Sequence, residues 1–448
     1  MTENSSLGRI LFITLGCAKN EVDTDRMRAL LLASGFEETF DVEDADAAIV
    51  NTCSFLASAT EESVEATLEL AESRAEGVRS CPIIMCGCVP SRYGDDLPEQ
   101  LPEVAAFVKA EDEDGIVDVV AGVLGVSVGA PVLDAGAMLR TVQSASAFVK
   151  ISEGCDRFCA FCAIPYIRGR YHSRPADEIV SEVSALMERG VREVVLIGQD
   201  TGIWGSDFDD DETLAKLLVR VAEVVRPYNG WVRVLYLQPE GMTDELIAAI
   251  RDTPEVLPYI DIPIQHCSAR VLKAMGRSGD PQQLHELFAK LRSEIPGMVL
   301  RTTGMAGFPG ETDEEADELF DFIESEEFDY TSVFAYSQEE GTRAAAMDGQ
   351  VDEETKLERT QRLIDLVEEL GFSATAKHVG ERVEVIVDGV EETEDGVELI
   401  GHAWFQAPDC DGAVHIASGE AAVGDIVTVD LVDSFCYEMV GEIVKEVM

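Results

Sequence analysis

Eight consecutive residues, Cys155-Asp156-Arg157-Phe158-Cys159-Ala160-Phe161-Cys162, carry three thiols at C-x3-C-x2-C spacing. Thiolates are soft ligands, and a cluster of them selects zinc or an iron–sulfur centre. A four-iron cluster normally takes four cysteines. This stretch offers three and no local fourth, so one iron is left open to an outside molecule. Such a cluster suits chemistry better than simple electron carriage. Zinc is the plainer alternative, but zinc sites usually combine two pairs of ligands, and no C-x2-C or H-x3-H partner follows Cys162. The motif sits just past an apolar, strand-like run at 147–152 and therefore on a loop.

A second group of thiols comes together only through the fold. Residues 9–125 alternate apolar runs at 9–16, 47–51 and 83–87 with helical spacing at 20–34 and 59–75. That alternation predicts a parallel sheet with helices on both faces. Ligands of such sheets gather beyond the carboxyl ends of the strands. Cys17 and Cys53 stand at two of those ends, and a third cysteine stands at the end of 83–87. There Cys86 and Cys88 would point to the same side of a strand, Cys81 lies nearby, and geometry alone does not choose. Singly, each is an ordinary small buried residue; three at matched strand ends form a second three-thiol site.

The remaining elements follow the same logic. Residues 126–145 are small and Gly/Ala-rich, with Pro131, and read as a linker. From 146 to 374 six strand–helix units recur, with strands expected at 148–152, 193–198, 233–237, 259–263, 299–305 and 331–336. Six units fit an incomplete β/α barrel, whose chemistry belongs on loops at the carboxyl ends of its strands. The first such loop carries the three-cysteine motif. Later ones carry Gln199-Asp200-Thr201, Gln265-His266 and Gly307-Phe308-Pro309-Gly310-Glu311-Thr312. The last of these is either a glycine loop that lets backbone approach a nucleoside or an ordinary helix cap. His266 reads as structural. Arg168, Arg170 and Arg174 could clamp a carboxylate or simply be ion-paired. After residue 375 the period changes to two, with Gly and Asp turns, which predicts a small antiparallel β-barrel. Cys410 and Cys436 belong to no motif.

The totals set outer limits. A chain of 448 residues with 46% apolar side chains supports two or three packed domains. No apolar run reaches the roughly 18 residues of a membrane span, and no signal peptide is legible. Eleven cysteines without one point to a reducing compartment, the cytoplasm, where thiols serve metals or catalysis. The net charge of −53, from 34 basic and 87 acidic residues, repels phosphate backbones and favours a basic partner, although an acidic proteome would give the same balance. Residues 374–448 alone hold 17 acidic and 3 basic side chains, so this barrel is poorly suited to RNA. It also has few aromatics for base stacking.

With Phe161 before the last thiol, the central motif resembles the signature of the radical S-adenosylmethionine enzymes. Its flanks, Ile151-Ser152-Glu153-Gly154, Ile164-Pro165, Arg168-Gly169 and Ser173-Arg174-Pro175, resemble the methylthiotransferase branch. So do Gly16-Cys17-Ala18-Lys19-Asn20, Asn51-Thr52-Cys53 and Gly87-Cys88 with Arg92-Tyr93, while Gly401-His402 and Ala407-Pro408-Asp409-Cys410-Asp411-Gly412 resemble the TRAM barrel. The resemblance implies an N-terminal methylthiotransferase domain (1–125), a linker (126–145), a radical partial barrel (146–374) and a TRAM-like barrel (375–448). It implies two 4Fe–4S clusters. One, on Cys155, Cys159 and Cys162, binds S-adenosylmethionine at its open iron; the auxiliary one, on Cys17, Cys53 and Cys88, selects Cys88 over Cys86.

Two substrates divide the branch: adenosine in tRNA, and an aspartate of ribosomal protein S-twelve. Lys19 stands where the tRNA branch usually has methionine, and Asp200-Thr201 where it has asparagine-valine. Together with the acidic final barrel, these favour the ribosomal protein, free or in the small subunit. Gly202-Ile203-Trp204 and Cys267 depart from the usual pattern without touching the cluster ligands. The implied reaction uses one S-adenosylmethionine to methylate sulfur and another to generate a radical that takes hydrogen from the aspartate β-carbon. An electron donor is implied as a partner; tRNA and membrane are not. No side chain is expected to act as acid or base in the committing step, and none is assigned to S-adenosylmethionine. The reading from a different class is a non-enzymatic iron–sulfur electron carrier or redox sensor.

Overall fold

The computed structural model describes residues 6–75, 81–129, 140–142, 144–393 and 396–444. The N-terminal part is a parallel sheet of β1 (Arg9–Thr14), β2 (Glu37–Thr39), β3 (Ala47–Thr52), β4 (Ile83–Gly87) and β5 (Val104–Lys109), in the order β2-β1-β3-β4-β5. Helices Ala18–Ala33 and Ile116–Leu124 cover one face and Ala57–Ala75 the other. Buried on both sides, β3 and β4 read as the continuous apolar runs that such strands require. The expected strands omit β2, which has only three residues, and β5, although Val104-Ala105-Ala106-Phe107-Val108 is an apolar run.

The central part adds β6 (Ser146–Lys150), a two-residue ribbon of β7 (Ser152–Glu153) and β8 (His172–Ser173), then β9 (Glu193–Ile197), β10 (Trp231–Val234), β11 (Tyr259–Asp261), β12 (Val299–Ala306) and β13 (Tyr330–Ala335). Two parallel three-stranded sheets, β10-β9-β6 and β11-β12-β13, meet where Val232 pairs with Val256 and Leu237 N donates to Asp261 O at 3.0 Å. The six strands thus curve in chain order into an open barrel. Helix starts match their sequence signals. Thr213, Thr243 and Asp280 accept from the backbone N–H three residues on, and Thr312 with Glu315 forms a capping box. Of the expected linker, residues 130–139 and 143 lie outside the described residues. At its end Arg140 is buried and donates to Asp25 and Glu182, both at 2.6 Å, strapping the N-terminal sheet to the barrel.

The helix Glu353–Ala376 leads into a closed barrel of β14 (Arg382–Thr393), β15 (Gly396–Ala403), β16 (Val414–Ser418), β17 (Ile426–Ser434) and β18 (Met439–Ile443), in the order β14-β15-β16-β18-β17. The expectation of an antiparallel barrel needs one correction: β16 and β18 run parallel. A closed ring with an odd number of strands cannot alternate direction throughout, so at least one pair must be parallel.

This small barrel fills the hollow of the large one. Along the barrel strands one set of alternate residues, Val194, Leu196, Val232 and Val234, packs on the outer helices. The other set, Phe148, Val195, Trp231, Tyr259, Val299 and Tyr330, packs on Val385, Val387, Phe405, Val429 and Met439. Most of these contacts lie in the amino-terminal half of the strands, leaving the carboxyl rim free. Buried charge locks the two together. Glu193, fully buried, accepts from Arg233 Nε at 2.7 Å and pairs with His402, which also pairs with Asp388 at 2.6 Å. Burial alone would lower the His402 pKa, but the Glu193 carboxylate and the hydrogen bonds to Asp388 and Glu193 outweigh it and raise it to about 9. A raised folded-state value gives stability that is complete below the unfolded pKa of about 6.5 and is lost as pH rises through 9. Thermal unfolding should therefore become easier from about pH 7 to pH 9 by about 2 kcal/mol. The slope should vanish in His402→Gln; an equal slope in both proteins would remove His402 as its cause.

Candidate active site: two thiol groups across one interface

The C-x3-C-x2-C loop leaves the first barrel strand at its carboxyl end. The β7–β8 ribbon ties its two ends together through Ser152 with Ser173 and Glu153 with His172. Gly154 begins the loop at φ +73°, and a Cβ there would stand 2.2 Å from Arg170 O, so only glycine fits. Three further anchors hold the loop from the barrel rim. Ala160 N donates to Met275 O at 2.7 Å, Ala344 N to Ala160 O at 2.8 Å, and Arg343 Nη2 to Phe158 O at 2.7 Å. Arg157 pairs with Asp200 and, at 3.0 Å, with Glu240. Phe158 is held at φ +48°, a conformation rare for a bulky residue.

The second group forms where the strand ends predicted it. Asn20 organises it. Its Nδ2 donates to Leu15 O (2.8 Å) and Thr52 O (2.9 Å), fixing the backbones that lead into Cys17 and Cys53. Its Oδ1 lies 4.0 Å from Cys17 Sγ and 3.9 Å from Cys88 Sγ. Cys53 lies across from Gly16, where an added Cβ would come within 3.0 Å of its sulfur. Cys86, by contrast, is buried in the core beneath the sheet with Met27 and Leu30, away from this group.

The two groups adjoin. Cys88 packs on Ala163 and Ile167, which directly follow Cys162. Arg168, from the same loop, crosses to donate to Asn20 Oδ1 at 2.6 Å and to pair with Asp23 at 2.7 Å. Burial pushes the Cys162 thiol up to about 12 and the Cys88 thiol up to about 11, so these sulfurs favour a compensating cation before they ionise. Among the described residues no three His, Cys, Asp or Glu side chains are gathered tightly enough for a single metal ion. A lone zinc needs all its donors within about 2.3 Å of one point; a cube of iron and sulfide meets thiolates set wider apart.

The rim of the barrel bears polar atoms without partners. Buried and lacking any hydrogen bond are Ser152 Oγ after β6, Gln199 Oε1 and Asp200 Oδ1 after β9, Gln238 Oε1 after β10, His266 Nε2 after β11 and Tyr336 OH after β13. Arg277 Nη2 is a seventh such atom, and Arg277 feels the charge of Cys159. Buried polar atoms are normally satisfied, so a ring of exceptions beside three thiols fits a polar small molecule. Glu153 is already paired: Lys150 and Arg168 overcome the effect of burial and bring its carboxyl down to about 2.

Atomic detail decides between the alternatives left open for several residues. Arg168, Arg170 and Arg174 are all engaged, with Asp23, Asp156 and Glu182 respectively, so none is a free carboxylate clamp. The 307–312 loop is an ordinary cap: Gly307 N and Phe308 N donate to Glu311, and a Cβ at Gly307 would collide with Lys356 Cγ at 2.0 Å. Glycine there makes room for a packed lysine, not a nucleoside. His266 is buried with Nδ1 accepting from Ser268 N at 3.0 Å; burial lowers its pKa to about 4, keeping it neutral. The sequence did not point to Gln238 or Arg277, because nothing in their local pattern marks them. Ser152, Lys19 and Asn20 belong to stretches that resemble the family, but their contacts are long-range.

Three family models match this chain: the Radical SAM superfamily over residues 149–323, the Uncharacterized protein family UPF0004 over 9–109, and the TRAM domain over 379–444. The ribosomal protein uS12 methylthiotransferase RimO of Pelobacter propionicus is 43% identical, across 98% of this chain and 99% of that protein. Its counterpart of the same name in Trichlorobacter lovleyi is 41% identical, across 99% and 100%. Among solved structures, the radical S-adenosylmethionine methyltransferase TsrM of Kitasatospora setae aligns with a TM-score of 0.55 at 14% identity, covering 73% of this chain and 74% of that one. The cobalamin-dependent radical enzyme OxsB aligns at 0.51 and 12%, covering 80% and 56%. At such identities the likeness is one of fold.

Proposed function

We infer the reaction of this chain from the premise that it belongs to the RimO family of radical S-adenosylmethionine methylthiotransferases: it adds a methylthio group to the β-carbon of an aspartate in ribosomal protein uS12. The observation that carries this reading is the meeting of two three-thiol groups across one interface, joined through Asn20 and Arg168. One group alone would suit any radical enzyme; a second beside it, Cys17, Cys53 and Cys88, would hold a second cluster next to the first.

The family implies a 4Fe–4S cluster and S-adenosylmethionine. In this reading Cys155, Cys159 and Cys162 hold that cluster, and Cys17, Cys53 and Cys88 hold a second. When bound, these groups supply the radical that removes a hydrogen from an unactivated carbon and the methylthio group that replaces it, chemistry beyond any side-chain base. The chain's own residues bind and orient. The pinned loop fixes the first thiol group, and Asn20 fixes the second. The unpartnered atoms of Gln199, Asp200 and Gln238 receive polar groups of S-adenosylmethionine, and the filled hollow keeps water from entering beneath. No residue is assigned a catalytic proton transfer. An electron donor is required as a partner. The basic character expected of a ribosomal protein suits a chain of net charge −53. Among the described residues no helix is long and apolar enough to cross a membrane. Eleven free cysteines support a cytoplasmic setting.

The test presents anaerobically reconstituted enzyme, reductant and S-adenosylmethionine with uS12 and, separately, with tRNA. Mass spectrometry of the digests should find a methylthio group on one aspartate of the protein and unmodified adenosines. Modified tRNA with untouched protein would overturn the assignment.

A further inference from the structure

Lys19 lies in the first turn of the helix Ala18–Ala33, two residues beyond Cys17. Its side chain crosses from the N-terminal sheet toward the barrel rim, where Nζ stands 3.5 Å from the centre of the Tyr236 ring. The residue is only 8% exposed, yet among the described residues its ammonium has no hydrogen bond and no ion pair. A buried cation without an anion is costly. Lysines elsewhere in the same region have partners: Lys150 pairs with Asp23 and Glu153.

The charges acting on Lys19 come from both sides of the interface: Cys17, Glu153, Arg168 and Asp261. Neither carboxylate among them is free. Glu153 accepts from Lys150 at 2.8 Å and Gln199 at 2.6 Å, and Asp261 accepts from Arg301 at 3.4 Å and Tyr236 N at 3.1 Å. Tyr236, which supports the ammonium from below, is held at φ +63°, a strained conformation for an aromatic residue. Strain, a cation–π contact and an unpaired buried charge thus coincide at one point, between a loop ending in Cys17 and a loop beginning at Glu153.

We propose that Lys19 binds the side-chain carboxylate of the substrate aspartate and so holds the adjoining β-carbon between the two thiol groups. This rests on the reading above that the substrate is an aspartate. The carboxylate is one bond from the reacting carbon, so a fixed cation sets the position of the hydrogen that leaves. The same contact rejects residues without a negative charge, because they would leave the ammonium buried and unpaired.

The experiment uses the iron-loaded full chain and two peptides spanning the target residue of uS12, one with aspartate and one with asparagine in its place. Binding is followed by fluorescence anisotropy. Hydrogen bonds to charged groups have a worth that corresponds to about tenfold or more in affinity. The wild type should prefer the aspartate peptide by at least that factor. Lys19→Met should bind both peptides equally, at the asparagine peptide's affinity, with iron content unchanged, and Lys19→Arg should recover part of the preference. A Lys19→Met protein that keeps the preference overturns the proposal, and so does one that loses it together with iron or with a shifted cluster potential, since the lysine would then serve the cluster. The wild-type comparison needs no folded variant: a wild type that modifies the aspartate peptide but binds both alike also overturns it. A wild type that neither binds nor modifies the aspartate peptide instead removes the substrate reading itself.

Discussion

Cys159→Ala should abolish conversion of S-adenosylmethionine to 5′-deoxyadenosine while the protein keeps about half of its iron. The loop around Cys159 is held by Ala160 N to Met275 O, Ala344 N to Ala160 O and Arg343 to Phe158 O, none of which uses the thiol. Loss of the sulfur therefore removes a ligand without unfolding the loop. On the proposed assignment of two four-iron clusters, anaerobic wild type should carry about eight irons, and Cys159→Ala about four. Cys17→Ala should lose the same number from the other group. It should still cleave S-adenosylmethionine but leave uS12 unmodified. Iron and sulfide analysis beside a chromatographic assay for 5′-deoxyadenosine separates the two. Unchanged iron in Cys17→Ala would eliminate the auxiliary site, and 5′-deoxyadenosine from Cys159→Ala would eliminate the assignment of the first.

Glu339→Ala is expected to be the most destabilising single change at the domain interface, by about 3–5 kcal/mol. Glu339 follows β13 on the barrel, is 2% exposed, and reaches into the N-terminal part. One oxygen accepts from Arg92 Nη1 and Nη2, both at 3.1 Å; the other accepts from Ala57 N at 2.9 Å and Ser337 Oγ at 2.6 Å. The carboxylate thus pairs a buried guanidinium and caps the helix Ala57–Ala75, where negative charge is favoured. Alanine leaves Arg92 buried without its counter-ion and the helix end without its acceptor. Both sit beside a cysteine: Ala57 follows Cys53 closely, and Arg92 lies one helical turn after Cys88. Denaturant unfolding should show the loss, accompanied by a fall in iron at the auxiliary group; a change within 1 kcal/mol of wild type would show the clamp to be dispensable.

Part of this site could be read from the chain directly. The C-x3-C-x2-C stretch, the alternation that sets Cys17, Cys53 and either Cys86 or Cys88 at strand ends, and the helix caps at Thr213, Thr243, Asp280 and Thr312 are local patterns, while Cys88 was selected by the family resemblance. The three-part architecture follows from the change of period near residue 375. What escaped is non-local. Glu339 and Ala57 lie 282 residues apart, so no spacing rule links them. Lys19 separates the two branches by its type, but its place beside Tyr236 of the barrel is set by a contact across more than two hundred residues. The edge strand β2, only three residues long, lacks the apolar run of β3 and β4. The parallel pairing of β16 with β18 comes from closure of the ring, a property of the whole domain and of no residue in it.

The hollow of the half-barrel is lined by Phe148, Trp231, Tyr259 and Tyr330, and is packed by strands that begin at Arg382. Those strands leave the ribosome after the wall they cover. Until they arrive, an aromatic wall stays wet, and the nascent chain carries a sticky surface through most of its synthesis. The core cannot close before residues 382–443 are made, so a chain cut short ahead of Arg382 is expected to be aggregation-prone, not a smaller working enzyme.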